Sequence, residues 1–285
     1  MNKTSKGALC LIGSSTAFAL MGIFVKLSGG AVSLMQQVFA RNIVMLLFSG
    51  LMIKKNKERF LPLKENRIIL LLRCLFGFLA LVGNFYAVNN LYLGDAQALQ
   101  KISPFFVTIL AVLFLGEKLT KLKVVSLVMA FIGALLVVNP KFDPRLMPAL
   151  IGLLASFLAA IAYTILSYLQ RKENQESGNT IIFNFALVSC ILSLVPMVKN
   201  LVIPDLKLGI LLFLIGAFAS LGQFLITKAY SLTEASLISI FDYSGVVVSS
   251  ILGLLIFQEH LPLTSILGIG IIILSGYMTY RNNIT

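Results

Sequence analysis

Tryptophan is absent from this 285-residue chain, histidine occurs once, cysteine three times, and Asp and Glu together eleven times. Each scarcity removes a class of protein. His260 and the scattered Cys10, Cys74 and Cys190 have neither metal-ligand spacing nor the even count of a disulfide framework, so no metal or cofactor is expected. HExxH, GxSxG and a glycine-rich phosphate loop are all missing, which leaves zinc proteolysis, serine hydrolysis and ATP hydrolysis without their residues. Gly94-Asp95 and Asp242 would suit an intramembrane aspartyl protease, but Tyr92 stands where that Gly-Asp signature carries glycine. The chain is therefore not read as an enzyme. Charge is scarce as well, at 12% of residues against roughly 25% in soluble domains.

Apolar residues fill the space. They make up 58% of the chain, give a mean hydropathy of +0.96, and gather in runs such as 105–115, 210–218 and 266–274. A helix of about 20 such residues crosses the ~30 Å hydrocarbon layer of a bilayer. Runs and breakers together predict ten transmembrane helices, over 8–25, 32–53, 68–91, 96–115, 123–139, 147–169, 180–198, 208–230, 235–257 and 264–280. The fold class is an all-α polytopic membrane protein. Ala17-Phe18-Ala19 after a basic start has the outline of a signal-peptide cleavage site, yet the run stays apolar to Val25 and is read as a retained first helix.

The net charge of +12 does not point to nucleic acid, because the basic residues lie between the apolar runs rather than along a stripe. With the amino terminus inside, fourteen of the 23 Lys and Arg fall on the cytoplasmic side, and only Lys26, Lys141, Arg145, Lys199 and Lys207 fall outside. The positive-inside rule then places both termini in the cytoplasm of an inner-membrane protein.

The two halves echo each other. Gly94-Asp95-Ala96 precedes a helix ending Phe114-Leu115-Gly116-Glu117, and Thr233-Glu234-Ala235 precedes one ending Phe257-Gln258-Glu259. Five helices per copy is odd, so a second copy inserts upside down, a recurring plan in transporters. The expected units are residues 1–143 and 144–285. At these residues, and at Ala40-Arg41, Leu72-Arg73, Ser103-Pro104, Lys228-Ala229-Tyr230 and Phe241-Asp242-Tyr243, the chain resembles the EamA-type family of the drug/metabolite transporter superfamily, over almost its whole length. Asp242-Tyr243 stands where many members have Glu-Pro, which resembles a subgroup that includes S-adenosylmethionine carriers. The resemblance implies a transporter and names no cargo.

Charges inside the membrane are costly and mark functional sites by default. Asp242 lies about 10 Å into its helix by rise, with Ser239 and Tyr243 on one face; it binds a cationic group or a proton, or else forms a structural ion pair. Arg41, near the midplane, either grips a substrate carboxylate bidentately or pairs with Asp242. Lys101, with Gln97 on its face, lines the pathway or snorkels outward. Arg73 and Lys228, near helix ends, are read as snorkelling. Tyr86 and Asn89 on the third helix, Tyr163 on the sixth and Gln223 on the eighth add polar groups that suit a water-filled cavity. Gly152, Ser156 and Ala160 are read as a close helix contact. Asp95 and Thr233-Glu234 are expected as helix caps, and Glu117 as a partner of Lys118 or Lys121. The reading is a secondary transporter of a small polar or zwitterionic metabolite, of amino-acid or nucleoside type, working by alternating access. The alternatives are a lipid or lipid-linked flippase and a non-transporting membrane scaffold. Its partners would be the small molecule, the lipid bilayer and a coupling proton, with the chain a monomer or homodimer.

Overall fold

The computed structural model describes residues 3–90, 99–138, 146–171, 173–257 and 263–281. Among them the regular structure is helical: α1 (Lys3–Ser28), α2 (Leu34–Asn56), α3 (Arg67–Asn90), α4 (Ser103–Leu115), α5 (Lys121–Val138), α6 (Leu146–Arg171), α7 (Gly178–Lys199), α8 (Leu206–Leu232), α9 (Ala235–Ile238), α10 (Ser244–Phe257) and α11 (Leu263–Arg281). Each of the ten expected spans has its counterpart, the ninth being α9, a 3-10 segment and α10 in succession. Six are long and apolar enough to cross a bilayer unaided; α4, α5, α9 with α10, and α11 are shorter. Side chains cap helix starts, Ser33 accepting from the Gln36 N–H, Ser177 from the Asn179 N–H and Asp205 from the Leu208 N–H.

The bundle is apolar on its outside. Leu47, Leu51, Leu113, Phe114 and Val195 are exposed, while Gln37, Asn42, Ser49, Ser126 and Ser189 are buried. Lipid solvates apolar side chains as well as a neighbouring helix does, so small and polar residues take the helix contacts instead. Many buried hydroxyls bond a carbonyl one turn back, as Thr108 does to Pro104 and Ser220 to Gly216.

The principal contacts each join one half of the chain to the other: α1 with α8, α3 with α6, α2 with α7, and α5 with α11. Counting five spans on, α1 against α8 and α6 against α3 are the same contact made twice. Glycine permits the closest crossings. A methyl on Gly216 would lie 2.5 Å from Val44 Cβ, and one on Gly133 would lie 2.8 Å from the Gly268 carbonyl oxygen. Gly152, Ser156 and Ala160 do form a close contact: Gly152 faces Ala87 and Leu99, and Ser156 Oγ donates to the Leu99 carbonyl at 2.8 Å.

One end of the bundle gathers the start of α1, the end of α11 and the basic connectors; it is called the basic end below. There the 57–66 connector is fastened to the 173–179 connector, Glu176 accepting from the Leu63 N–H and from Asn66, and Glu58 from Ser177 and Asn179.

Candidate functional site

Two helices are interrupted inside the bundle. Residues 99–100 are helical, Lys101 and Ile102 form a turn, and the helix resumes as α4 with Pro104 in its first turn. Proline has no N–H and fits only there. In the second half α9 tightens after four residues into the 3-10 segment Ser239–Tyr243 before α10 begins. A 3-10 stretch within a helix often marks a hinge, and interrupted spans in matching positions of two inverted halves point to a transporter's binding site.

The two interruptions meet. Lys101 Nζ donates to Asp242 Oδ2 at 3.0 Å and to the Asp242 carbonyl at 3.1 Å, and the Tyr243 hydroxyl donates back to the Lys101 carbonyl at 2.8 Å. Ser15 Oγ of α1 completes the carboxylate, donating to Oδ1 at 3.1 Å. Each break thus satisfies a carbonyl of the other, which an interrupted helix buried in a membrane requires. The Lys101 side chain is 15% exposed and that of Asp242 31%, so the pair is only partly desolvated.

Beside this pair lie two arginines. Arg41 of α2 and Arg73 of α3 are 4% and 2% exposed, and their guanidinium carbons stand 5.9 and 4.2 Å from the centre of the Phe185 ring. Arg41 Nη1 donates to Asn42 at 3.2 Å; Arg41 Nε and Arg73 Nε and Nη1 have no partner among the described residues. Tyr163 of α6 feels the charges of Asp242, Arg73 and Arg41 together, so all three surround one tyrosine; these surroundings are called the chamber below. Tyr163 stacks on Tyr230 of α8, ring centres 5.5 Å apart and nearly parallel.

At the basic end the halves are clasped. Glu117, just past α4, is nearly enclosed and accepts from the Ala235 and Ser236 N–H groups at 2.8 and 2.9 Å, from Ser236 Oγ at 2.6 Å, and from Arg171 Nη1 at 2.8 Å. Burial alone would push its carboxyl up; the Ser236 hydroxyl and N–H, the Ala235 N–H and the Arg171 guanidinium outweigh this and hold it below the usual carboxylate range. Lys123 of α5 pairs with Glu234 and donates to Ser236 Oγ. Beside the clasp opens a crevice of about 500 Å³, lined by Lys118, Thr120 and Leu122 as well as the clasp residues.

The expected site residues are only partly assembled. Lys101, Asp242 and Tyr243 meet, with Arg41 and Tyr163 beside them. Lys101 rather than Arg41 neutralises Asp242, because the two helix breaks face each other. Ser239 is buried, but its hydroxyl bonds the Ser236 carbonyl, and it is Ser15 of α1 that bonds the Asp242 carboxylate. Gln223 is buried with its Nε2 unpartnered. Tyr86, 37% exposed, continues the outward stripe of Leu72 and Leu79 at seven-residue spacing, and Asn89 is exposed as well; neither faces the chamber. Gln97 lies outside the described residues, as do Asp95, Glu259 and His260. Arg73 does not snorkel: it is buried on Phe185. Glu117 takes Arg171 and Ser236 in place of Lys118 or Lys121. Glu234 makes no cap bond of its own; Glu117 caps α9 from the other half. Sequence reading had no signal for Ser15, whose role depends on how α1 crosses α10.

The profile of the EamA-like transporter family matches residues 5–139 and again 146–281. The pseudopaline exporter CntI of Pseudomonas aeruginosa is 30% identical over 256 residues, covering 89% of this chain and 88% of that protein. An S-adenosylmethionine uptake transporter of Rickettsia bellii is 29% identical over 216 residues, 74% of this chain and 72% of that one. A crystal structure at 14% identity superposes with a TM-score of 0.82 over 98% of this chain and 96% of the other, which shows the fold.

Proposed function

The chain belongs to the EamA-like transporter family, and from that premise we propose that it carries a small polar or zwitterionic metabolite, of amino-acid or nucleoside type, across the inner membrane by alternating access. The moving units are residues 1–143 and 144–285, and the cargo site is the chamber around Lys101, Asp242, Arg41 and Tyr163. One observation carries the reading: two interrupted helices, one from each half, bring a partly buried cation and carboxylate together where they meet. Such a pair holds the breaks together and can be divided by a cargo with charges of both signs, each taking the partner the other leaves. The relatives support a small-metabolite cargo in general, since one is named for pseudopaline and another for S-adenosylmethionine.

The clasp at the basic end supplies a gate. Opening it requires Glu117 to leave two N–H groups, a hydroxyl and Arg171, and Lys123 to leave Glu234. The stacked Tyr163 and Tyr230 form a second barrier between it and the chamber. The Lys and Arg bias supports a cytoplasmic position for this end; reporter fusions after Lys172 should read inside, and those after Lys141 and Lys207 outside.

The test is a thermal-shift screen of purified protein against metabolites, since a ligand that binds only the folded chain raises its stability, followed by uptake of each hit into liposomes. Lys101→Met and Asp242→Asn should each lower uptake about tenfold or more, the loss of one charge-assisted contact. Variants that fold and carry the same cargo at the unaltered rate would remove the chamber from the mechanism.

A further inference from the structure

Arg41 and Arg73 present a charge problem that the rest of the chamber leaves unsolved. Both are nearly fully buried, both lie over Phe185, and Arg41 feels the charge of Arg73. Among the described residues the ion pairs are Lys101 with Asp242, Lys123 with Glu234 and Arg171 with Glu117; neither arginine belongs to one. Asp242, the carboxylate in the chamber, is already bonded by Lys101 and Ser15. A buried ion loses more in hydration than a cation–π contact returns. Two like charges in one apolar chamber add repulsion. Arg41, Arg73 and Lys101 against Asp242 leave the chamber with two positive charges in excess.

We propose that Arg41 and Arg73 together form an oxyanion cradle, and that the cargo is an acidic metabolite whose carboxylate or phosphoryl group binds there. This rests on reading the chamber as the cargo site and narrows the cargo from polar or zwitterionic to acidic. The unpartnered Nε of Arg41 and the unpartnered Nε and Nη1 of Arg73 are the donors such a group needs. A guanidinium edge presents paired N–H groups that match two oxygens of one acid. Phe185 holds both guanidiniums without consuming a single N–H, so the support leaves the donors for the ligand.

The experiment measures thermal unfolding of the full chain in detergent with succinate, citrate, glutamate or inorganic phosphate, each against chloride at equal ionic strength. At least one should raise the melting temperature, with a carboxylate or the phosphate as the effective arm identifying the acid class. Arg41→Gln and Arg73→Gln should each require roughly tenfold or more anion for the same shift. Arg73→Lys, which keeps the charge and loses the fork, should recover part of it. Without anion both glutamine variants should melt no lower than the parent, because an unpaired buried charge has been removed. A parent unmoved by all four anions, a shift unchanged in both variants, or variants that melt well below the parent would overturn the cradle. The outcomes are separable from those of the transport reading: an anion shift in a chain that carries nothing keeps the cradle and fails transport. Carriage of a neutral or cationic cargo, untouched by Arg41→Gln and Arg73→Gln, keeps transport and fails the cradle.

Discussion

Buried charge is handled in two opposite ways in this molecule. At the clasp, and where the interrupted helices meet, cation and carboxylate are paired: Glu117 accepts four hydrogen bonds, Glu234 takes Lys123, and Asp242 is held by Lys101 and Ser15. Around Phe185 two cations have no acid between them. The first arrangement fastens one half of the chain to the other. The second spends hydration on groups that nothing among the described residues neutralises, which suits a site for a partner that comes and goes. Fastening charges and binding charges should therefore respond to mutation with opposite signs.

The largest effect belongs to Glu117. Glu117→Ala leaves Arg171 and two N–H groups at the start of α9 without their acceptor, and should lower unfolding stability by about 3 kcal/mol, in the range for breaking one side of a buried charged network. Thermal or denaturant unfolding in detergent reads it; an unchanged midpoint would mean the clasp contributes nothing. Lys101→Met should cost less, about 2 kcal/mol, because Asp242 keeps contact with solvent and a fully buried pair broken on one side loses ~3–5 kcal/mol. Adding Asp242→Asn should restore most of the loss, a coupling measured by the double-mutant cycle. If the double variant is no better than the single one, the two residues do not act as a pair.

Acid sharpens the same contrast. Because the Glu117 carboxyl is held below the usual range, its contribution is fully present above that range and is lost as pH falls through the lowered value. Clasp stability should be flat from about pH 6 to 8 and fall only in strong acid; a transition near neutrality would point to some other group. The smallest effect is expected at Lys228, exposed near the basic end of α8, where Lys228→Gln should leave the melting temperature unmoved.

The fold was legible because a bilayer sets a fixed length, and the apolar runs broke close to where the helices end. The charged candidates were legible for a related reason: Asp242, Arg41 and Lys101 stood out as ions inside apolar runs. Their partners were not. Pairing depends on how two interrupted helices cross, and neither Pro104 nor the Ser239–Tyr243 segment reveals alone that it faces the other. The burial of Arg73 is hidden in the sequence because its place near the start of α3 looks shallow, whereas its side chain turns inward onto Phe185. For Tyr86 the signal was present, since Leu72, Leu79 and Tyr86 share one face of α3 and mark it as the outer one. The cap on α9 was hidden because its acceptor, Glu117, is more than a hundred residues away.

The central claim is that the clasp closes the chamber at the basic end. In a background with Cys10, Cys74 and Cys190 replaced by alanine, Ser15→Cys puts a thiol beside Asp242, and inside-out vesicles offer the basic end to a membrane-impermeant thiol reagent. The account predicts slow labelling with the clasp intact and labelling at least several-fold faster once Glu117→Ala is added. Equal labelling rates with and without Glu117→Ala would contradict it.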